Sequence, residues 1–252
     1  MTNMETIIPK ISTALSALMK ADFTTQWRNR RSVVLVLLVP VIILISWKGL
    51  IDKLGGPFAL SNSLTYGLIA IGLMGYTNSV ARDRDKGVFQ RLRVAPLPTW
   101  AIMMSRLFVQ LMMIILVTTA IFIVGYDYDK ITLTPMGYVI TYFTAIIGGA
   151  VYLSLGQMIV GLIKSPETVN STSRLVYFLF IVIGMFGGMG LLGKQVEQLT
   201  KWSPYGTVKI IMAAGMVPGS WSMDTTYALL ATIGYIIVFA SIGIKKFKWD
   251  TK

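Results

Sequence analysis

The strongest constraint in this sequence is where its charges are absent. Residues 58 to 81 carry no charged side chain, and similar apolar runs recur at 32–51, 107–126, within 131–163, at 175–192 and at 227–244. A helix rises 1.5 Å per residue, so about 20 apolar residues cross a hydrocarbon core of ~30 Å. Backbone N–H and C=O groups find no water there and must bond within their own segment, which a helix achieves. The six runs predict an all-α polytopic membrane protein with six transmembrane helices. The first run is short, with 16 residues between Arg31 and Lys48. Pro40 lies in its middle, and Lys48 can extend the span by reaching outward along its aliphatic stem.

Composition agrees. The 252 residues are 54% hydrophobic and 13% charged, where a soluble domain carries about 25% charged residues. The net charge is +12, a balance that suits either nucleic acid or a membrane surface. Placement decides for the membrane, because the charges sit in short segments between apolar runs. With the N-terminus in the cytoplasm, 17 of the 23 Lys and Arg fall on the cytoplasmic side, as the positive-inside rule demands. Six spans then leave both termini cytoplasmic in a multi-pass protein of the cell membrane, with no nucleic-acid partner. The absence of Cys and His excludes disulfides, Ser-His and Cys-His catalysis, and metal sites built on imidazole or thiolate. The N-terminus does not read as a secretory signal, since about 30 residues precede the first apolar run.

Residues 4–31 predict an amphipathic helix. Ile7, Ile8, Ile11, Leu15, Leu18 and Met19 share one face, and Lys10, Thr13, Ala17 and Lys20 lie opposite. Such a helix rests in the membrane interface or packs on a soluble partner. The expected organisation is an interfacial helix over 1–31 and a transmembrane domain over 32–252, one unit without internal repeats. Residues 193–222 interleave charges with Trp202, Pro204, Tyr205 and an apolar patch, and are expected as a re-entrant or outer segment between spans five and six.

The segment after span two, Arg82-Asp83-Arg84-Asp85-Lys86-Gly87-Val88-Phe89-Gln90-Arg91-Leu92-Arg93-Val94-Ala95-Pro96, is the most informative. Val88, Phe89 and Leu92 fall on one helical face, with Lys86, Gln90 and Arg93 around the other. A short helix with an apolar ridge suits a groove on a soluble partner; an ordinary positively charged loop is the competing reading. The segment resembles the stretch E-x-E-x-G-T-x-E-R-L-x-x-T-P of type-2 ATP-binding-cassette (ABC) transporter permeases. Gly87, Arg91, Leu92 and Pro96 match, and Asp83 and Asp85 stand for the usual Glu. Val88, Gln90 and Ala95 depart from the usual Thr, Glu and Thr. Ser203-Pro204-Tyr205 is similar to the turn that opens the family's re-entrant segment.

The resemblance implies a permease subunit that binds no ATP. Two permease subunits would pair, as a homodimer or heterodimer, each seated on an ABC ATPase that holds ATP and Mg. No cofactor would bind this chain. Residues 83 to 93 would form the coupling helix, with Asp83, Asp85, Gly87, Val88, Phe89, Gln90, Arg91, Leu92 and Arg93 at the ATPase contact. The same analogy makes spans two and five the cavity wall, with Phe178, Phe180, Met185 and Phe186 along the substrate path. Export of a drug, antibiotic, lipid or lipid-linked glycan follows, and the absence of charge deep in the spans points to an apolar or amphipathic cargo. The alternative is a non-transporting scaffold or an antibiotic-resistance or immunity factor. A membrane-embedded enzyme is disfavoured, because acid–base work needs titratable groups gathered in one pocket.

Four other motifs point elsewhere. Residues 188–194, GMGLLGK, mimic a phosphate-binding loop, but Gln195 replaces the required Ser or Thr and no strand precedes it. Asp127-Tyr128-Asp129 could hold a cation but reads as a solvated turn. Asn170-Ser171-Thr172 is a glycosylation sequon on the expected cytoplasmic side. Gly184 and Gly188 form GxxxG, either a helix-packing face or a glycine-rich span.

Overall fold

Every long apolar run becomes helix in the computed structural model, which describes residues 11–94, 99–187 and 193–247; no strand occurs among them. The elements in chain order are α1 (Ile11–Arg28), α2 (Arg30–Ser46), α3 (Lys48–Leu54) and α4 (Gly56–Ala70), then a π-helical segment (Ile71–Thr77). They continue as α5 (Asn78–Asp85), α6 (Val88–Val94), α7 (Thr99–Asp129), α8 (Pro135–Leu162), α9 (Pro166–Phe186), α10 (Lys194–Trp202), α11 (Pro204–Met216) and α12 (Met223–Lys246). Among the described residues, five helical stretches are long and apolar enough to cross a bilayer: Gly56–Asp85, Met104–Asp129, Pro135–Leu162, Pro166–Phe186 and Met223–Lys246. A sixth appears if α1 and α2, bent by 61°, are taken together.

The first span ends earlier than expected. The helix breaks at Trp47 and restarts as α3, so the run to residue 51 is not one segment. Trp47 is buried and its ring meets Phe58 edge-on at 5.3 Å, which favours packing over continuing straight. The amphipathic N-terminal helix is present from Ile11, and Ile7, Ile8 and Lys10 lie outside the described residues. It lies on α7, burying Ala14 and Gln26.

Start signals are written in local chemistry. Thr134, Ser165, Ser203 and Ser222 cap α8, α9, α11 and α12, each accepting a backbone N–H from the first turn, and Pro follows directly in the first three. A hydroxyl cap satisfies an orphan N–H, and Pro at the first helical position loses nothing by lacking one. Because Ser165 caps α9, the fifth span starts at Pro166, with the polar residues 166–174 as its first turns. Residues 188–192, where that span was expected to end, lie outside the described residues.

α4 forms the centre. Ala59 to Ala70 are all buried, including Ser61, Asn62, Ser63 and Thr65. α2, α7, α8 and α11 pack around it. The π-helical widening continues α4 against α8 at backbone distance: a side chain on Gly72 would meet the Tyr152 carbonyl carbon at 2.5 Å. Thr77 Oγ1 donates to the Gly72 carbonyl at 2.7 Å, holding the wide turn from inside. α9 and α12 lie at the periphery and expose Leu175, Phe178, Leu230, Ile237 and Val238, an outward face that lipid or another helix can cover.

Between α9 and α12 the chain makes a helical hairpin. The Tyr152 hydroxyl donates to the Pro204 carbonyl at 3.2 Å, and Gly137 packs against the Met216 carbonyl. Tyr152 and Gly137 are about 22 Å apart along α8 at 1.5 Å per residue. The tip of the hairpin therefore reaches the level of mid-α8, and α11 runs back to that helix's N-terminal end.

Candidate functional site

The charged segment after span two divides into three parts. Arg82 to Asp85 form the last turn of α5, continuous with the span, rather than a loop or the start of a separate coupling helix. Lys86 and Gly87 make the turn, with Gly87 at φ 66°. That left-handed conformation costs glycine nothing but a side-chain-bearing residue ~1–2 kcal/mol. Val88–Val94 then forms the seven-residue helix α6. Of the expected contact residues, Asp83 and Asp85 thus stand on the span, Gly87 in the hinge, and Val88, Phe89, Gln90, Arg91, Leu92 and Arg93 on the short helix.

Four contacts brace this assembly. Arg84 is buried, and its guanidinium donates to the carbonyls of Val160 at 2.7 Å, Ile163 at 2.7 Å and Lys164 at 2.8 Å. The Val160 carbonyl is an orphan acceptor of the last turn of α8, and those of Ile163 and Lys164 lie just past its end, where the helix dipole also favours a cation. Asp83 pairs with Arg106 of α7 at 2.8 Å, and both side chains are largely buried. Arg106 also lies 4.6 Å from the centre of the Phe89 ring, a cation–π contact. Phe89 itself is 1% exposed and meets Phe247, just past α12, edge-on. Phe89 therefore does not belong to an outward ridge: it anchors α6 to its own chain, while Gln90 and Arg91 are exposed.

The interfacial helix joins the same cluster. Ser105 of α7 donates a hydrogen bond to Asp22 of α1. Burial pushes the Asp22 carboxyl above the ordinary range, a shift opposed by the Ser105 hydrogen bond and by Arg106. α1, α5, α6 and α7 thus converge on one polar knot at the end of the bundle that also holds the C-termini of α8 and α12.

This end-on arrangement, a short helix hinged on a continuous span and braced by buried arginines, fits the segment read earlier as a permease signature. The family model described as "ABC-2 type transporter" matches residues 13–205, most of the chain. The chain belongs to the ABC-2 type transporter family. It is also similar to the "Putative transport permease YvfS" of Bacillus subtilis (strain 168), 22% identical over 186 residues, which cover 71% of this chain and 72% of that protein. The chain is accordingly a membrane-spanning transporter permease subunit of the ABC-2 family, a family that pairs with ABC ATPases.

The expected substrate-path residues of this ABC-2 chain divide between two sides of α9. Phe180 faces inward and meets Tyr152 edge-on at 5.9 Å, whereas Phe178, Met185 and Phe186 are exposed on the outer side of α9. Pro204 and Tyr205 are central. The Tyr205 hydroxyl donates to Asn62 Oδ1 and lies 3.4 Å from the Tyr66 hydroxyl, which donates onward to the Ile181 carbonyl at 3.5 Å. Gly184 lies against both rings, and a side chain there would come within 2.5 Å of Tyr205 Cζ. Close packing inside the chain accounts for Gly184; Gly188 lies outside the described residues.

Sequence reasoning missed Arg84, because its partners are backbone carbonyls at positions 160–164 that carry no side-chain signal. Within the segment 193–222, expected to be re-entrant or outer, Lys209 lies on α11 with Nζ 4.1 Å from the centre of the Phe58 ring. Arg84 and Arg106 bring charge into the packing at the other end, so charged side chains lie among the helices although the middles of the spans carry none. Asp127, Tyr128 and Asp129 close α7 rather than forming a free turn, and Lys48 stacks on the Tyr128 ring at 3.9 Å. No cluster of three or more metal-ligating side chains occurs among the described residues.

Proposed function

We propose that this chain is the transmembrane half of an ABC exporter, driven by ATP hydrolysed on a separate ABC ATPase that binds ATP and Mg. The observation that carries the reading is α6. It is a short helix with an exposed polar face, hinged at Gly87 and fixed by Phe89 and Arg106 to the ends of three helices. A push on that face is passed to α5, and through the Arg84 clamp to α8, instead of being absorbed by a loose loop. The positive-inside count puts this end, with both termini, in the cytoplasm, where an ATPase resides. α10 and α11 then form a re-entrant hairpin entered from outside, and α1 lies along the inner interface. A second permease subunit, a like or unlike copy, covers part of the exposed apolar surface of the peripheral helices. The cargo is an amphipathic or hydrophobic molecule.

Purification in mild detergent from the native host tests this reading. The expected result is recovery of an ABC ATPase near 1:1, with ATP turnover by the pair and none by the chain alone. Gly87→Pro and Leu92→Asp should abolish export while the chain still inserts. ATP hydrolysis by the isolated chain, or full export with both substitutions, refutes it. A scaffold without a transport cycle would tolerate both.

A further inference from the structure

A groove of about 420 Å³ opens at the basic end between the start of α2, α5 and the first turns of α9. Arg82 and Arg174 line it, with Asn29, Asn78 and Asn170 supplying carboxamides and Leu35 and Met74 an apolar wall. A second opening of about 380 Å³ shares Asn29 and Arg82 and adds Arg28. Three arginines therefore face one carboxylate, Glu167, whose Oε2 already accepts from Ser165. Arg82 and Arg174 have no carboxylate within 4 Å among the described residues, unlike Arg106.

The carboxamides are part of the argument. Asn78 Nδ2 donates to the Met74 carbonyl at 3.2 Å, which leaves Oδ1 buried without a partner, and Asn170 Oδ1 is likewise buried and unpartnered. Buried acceptors without donors are rare and costly. The groove thus offers guanidinium forks to an anion, carboxamide side chains to polar substituents, and an apolar wall on its α2 and π-helical side. Guanidinium groups match phosphate oxygens two at a time.

We propose that this groove receives the head of a phosphate-bearing amphiphile, the phosphate between Arg82 and Arg174, its polar substituents on Asn78 and Asn170, and its chain along Leu35 and Met74. The inference rests on the exporter reading and narrows its cargo from any amphipathic molecule to an anionic one. It places head-group selection at the cytoplasmic mouth, with Arg82 two residues before the Arg84 clamp on α5. The same chemistry is found in an exported molecule and in an anionic lipid of the bilayer.

Dodecyl phosphate and decyl glucoside serve as probes, titrated onto the full-length purified chain in neutral detergent. Binding needs no ATPase, so its outcome is independent of whether a partner is recovered. Saturable binding of dodecyl phosphate is expected, with at least ~10-fold weaker binding by R82Q/R174Q, partial recovery in R82K/R174K, and no change in K194Q, which removes a charge at the opposite end. Unchanged elution and melting of each variant show that the fold is kept. Equal binding of dodecyl phosphate to wild type and R82Q/R174Q, or equal binding of decyl glucoside and dodecyl phosphate by wild type, overturns the proposal. Repeating the titration in phosphatidylcholine nanodiscs with and without phosphatidylglycerol separates the two sources. Displacement of the probe by phosphatidylglycerol assigns the site to a membrane lipid; retention assigns it to cargo.

Discussion

Replacing Arg84 by Gln should be the most damaging single change at the basic end of the bundle. The guanidinium is buried and supplies three hydrogen bonds of 2.7–2.8 Å, one to Val160 in the last turn of α8 and two to the carbonyls of Ile163 and Lys164 just past it. A charged donor contributes ~1.5–3 kcal/mol per bond, and a cation at a helix C-terminus adds ~0.3–1 kcal/mol, more when buried. These terms do not add fully. Lys164 is exposed, so its carbonyl regains water, while Val160 is fully buried and its carbonyl does not. Gln also keeps one donor. The expected loss is about 3 kcal/mol, on the order of 100-fold in the unfolding equilibrium. R84K should fall between, because an ammonium keeps the charge but lacks the planar fork that spans separated acceptors. The assay is denaturant unfolding of the purified chain in mixed micelles, with K86Q as the exposed control within ~0.5 kcal/mol. An R84Q variant as stable as K86Q would refute the clamp, and with it the claim that α5 and α8 move as one body.

Four further outcomes follow from the same geometry. Phe89→Ala should cost about 3–4 kcal/mol, typical of a deleted buried aromatic, whereas Arg91→Ala should leave unfolding unchanged and lower affinity for the ATPase, read by co-purification yield. Gly87→Ala should cost ~1–2 kcal/mol from the left-handed backbone alone, measurable by the same unfolding titration. Gly184→Ala should destabilise by ~1–3 kcal/mol, because the added methyl overpacks against Tyr66 and Tyr205; Gly234→Ala, at a position with nothing within 4 Å, should be neutral or slightly stabilising. Arg106→Gln should loosen α1 as well as α5, since it removes the partner of Asp83 and the cation near Asp22, and faster backbone hydrogen exchange in 15–28 would register it.

The spans were legible because hydropathy over 20 residues is set by the bilayer and not by neighbours. Caps at Thr134, Ser165 and Ser222 were also written locally, although an apolar run beginning at 175 hid the Ser165 cap and the polar turns 166–174 that follow it. What escaped the sequence depends on distant partners. Arg82 to Asp85 read as a loop or as the start of a coupling helix because four charges in a row seldom sit in a span, and only the carbonyls of Val160, Ile163 and Lys164 explain why the helix continues. Phe89 was assigned to an outward ridge because a seven-residue helix gives no sign of which face is in; Phe247 and Arg106 decide it. The π-helical turn at 71–77 has no composition signal, since it answers to the backbone of Tyr152. The packing of Lys209 on Phe58 escaped because a lone Lys among apolar residues reads equally as a loop charge or as a side chain laid along an aromatic ring.

A single cysteine gives the most direct test of the whole account, and the chain's lack of native cysteine makes it clean. Arg91→Cys, on the exposed face of α6, should resist a membrane-impermeant maleimide in intact cells, react in inside-out vesicles, and cross-link to one ATPase subunit in the assembled complex. Labelling from outside intact cells, or an assembled complex with no adduct at this position, would contradict a cytoplasmic lever that carries the force of ATP hydrolysis into the membrane.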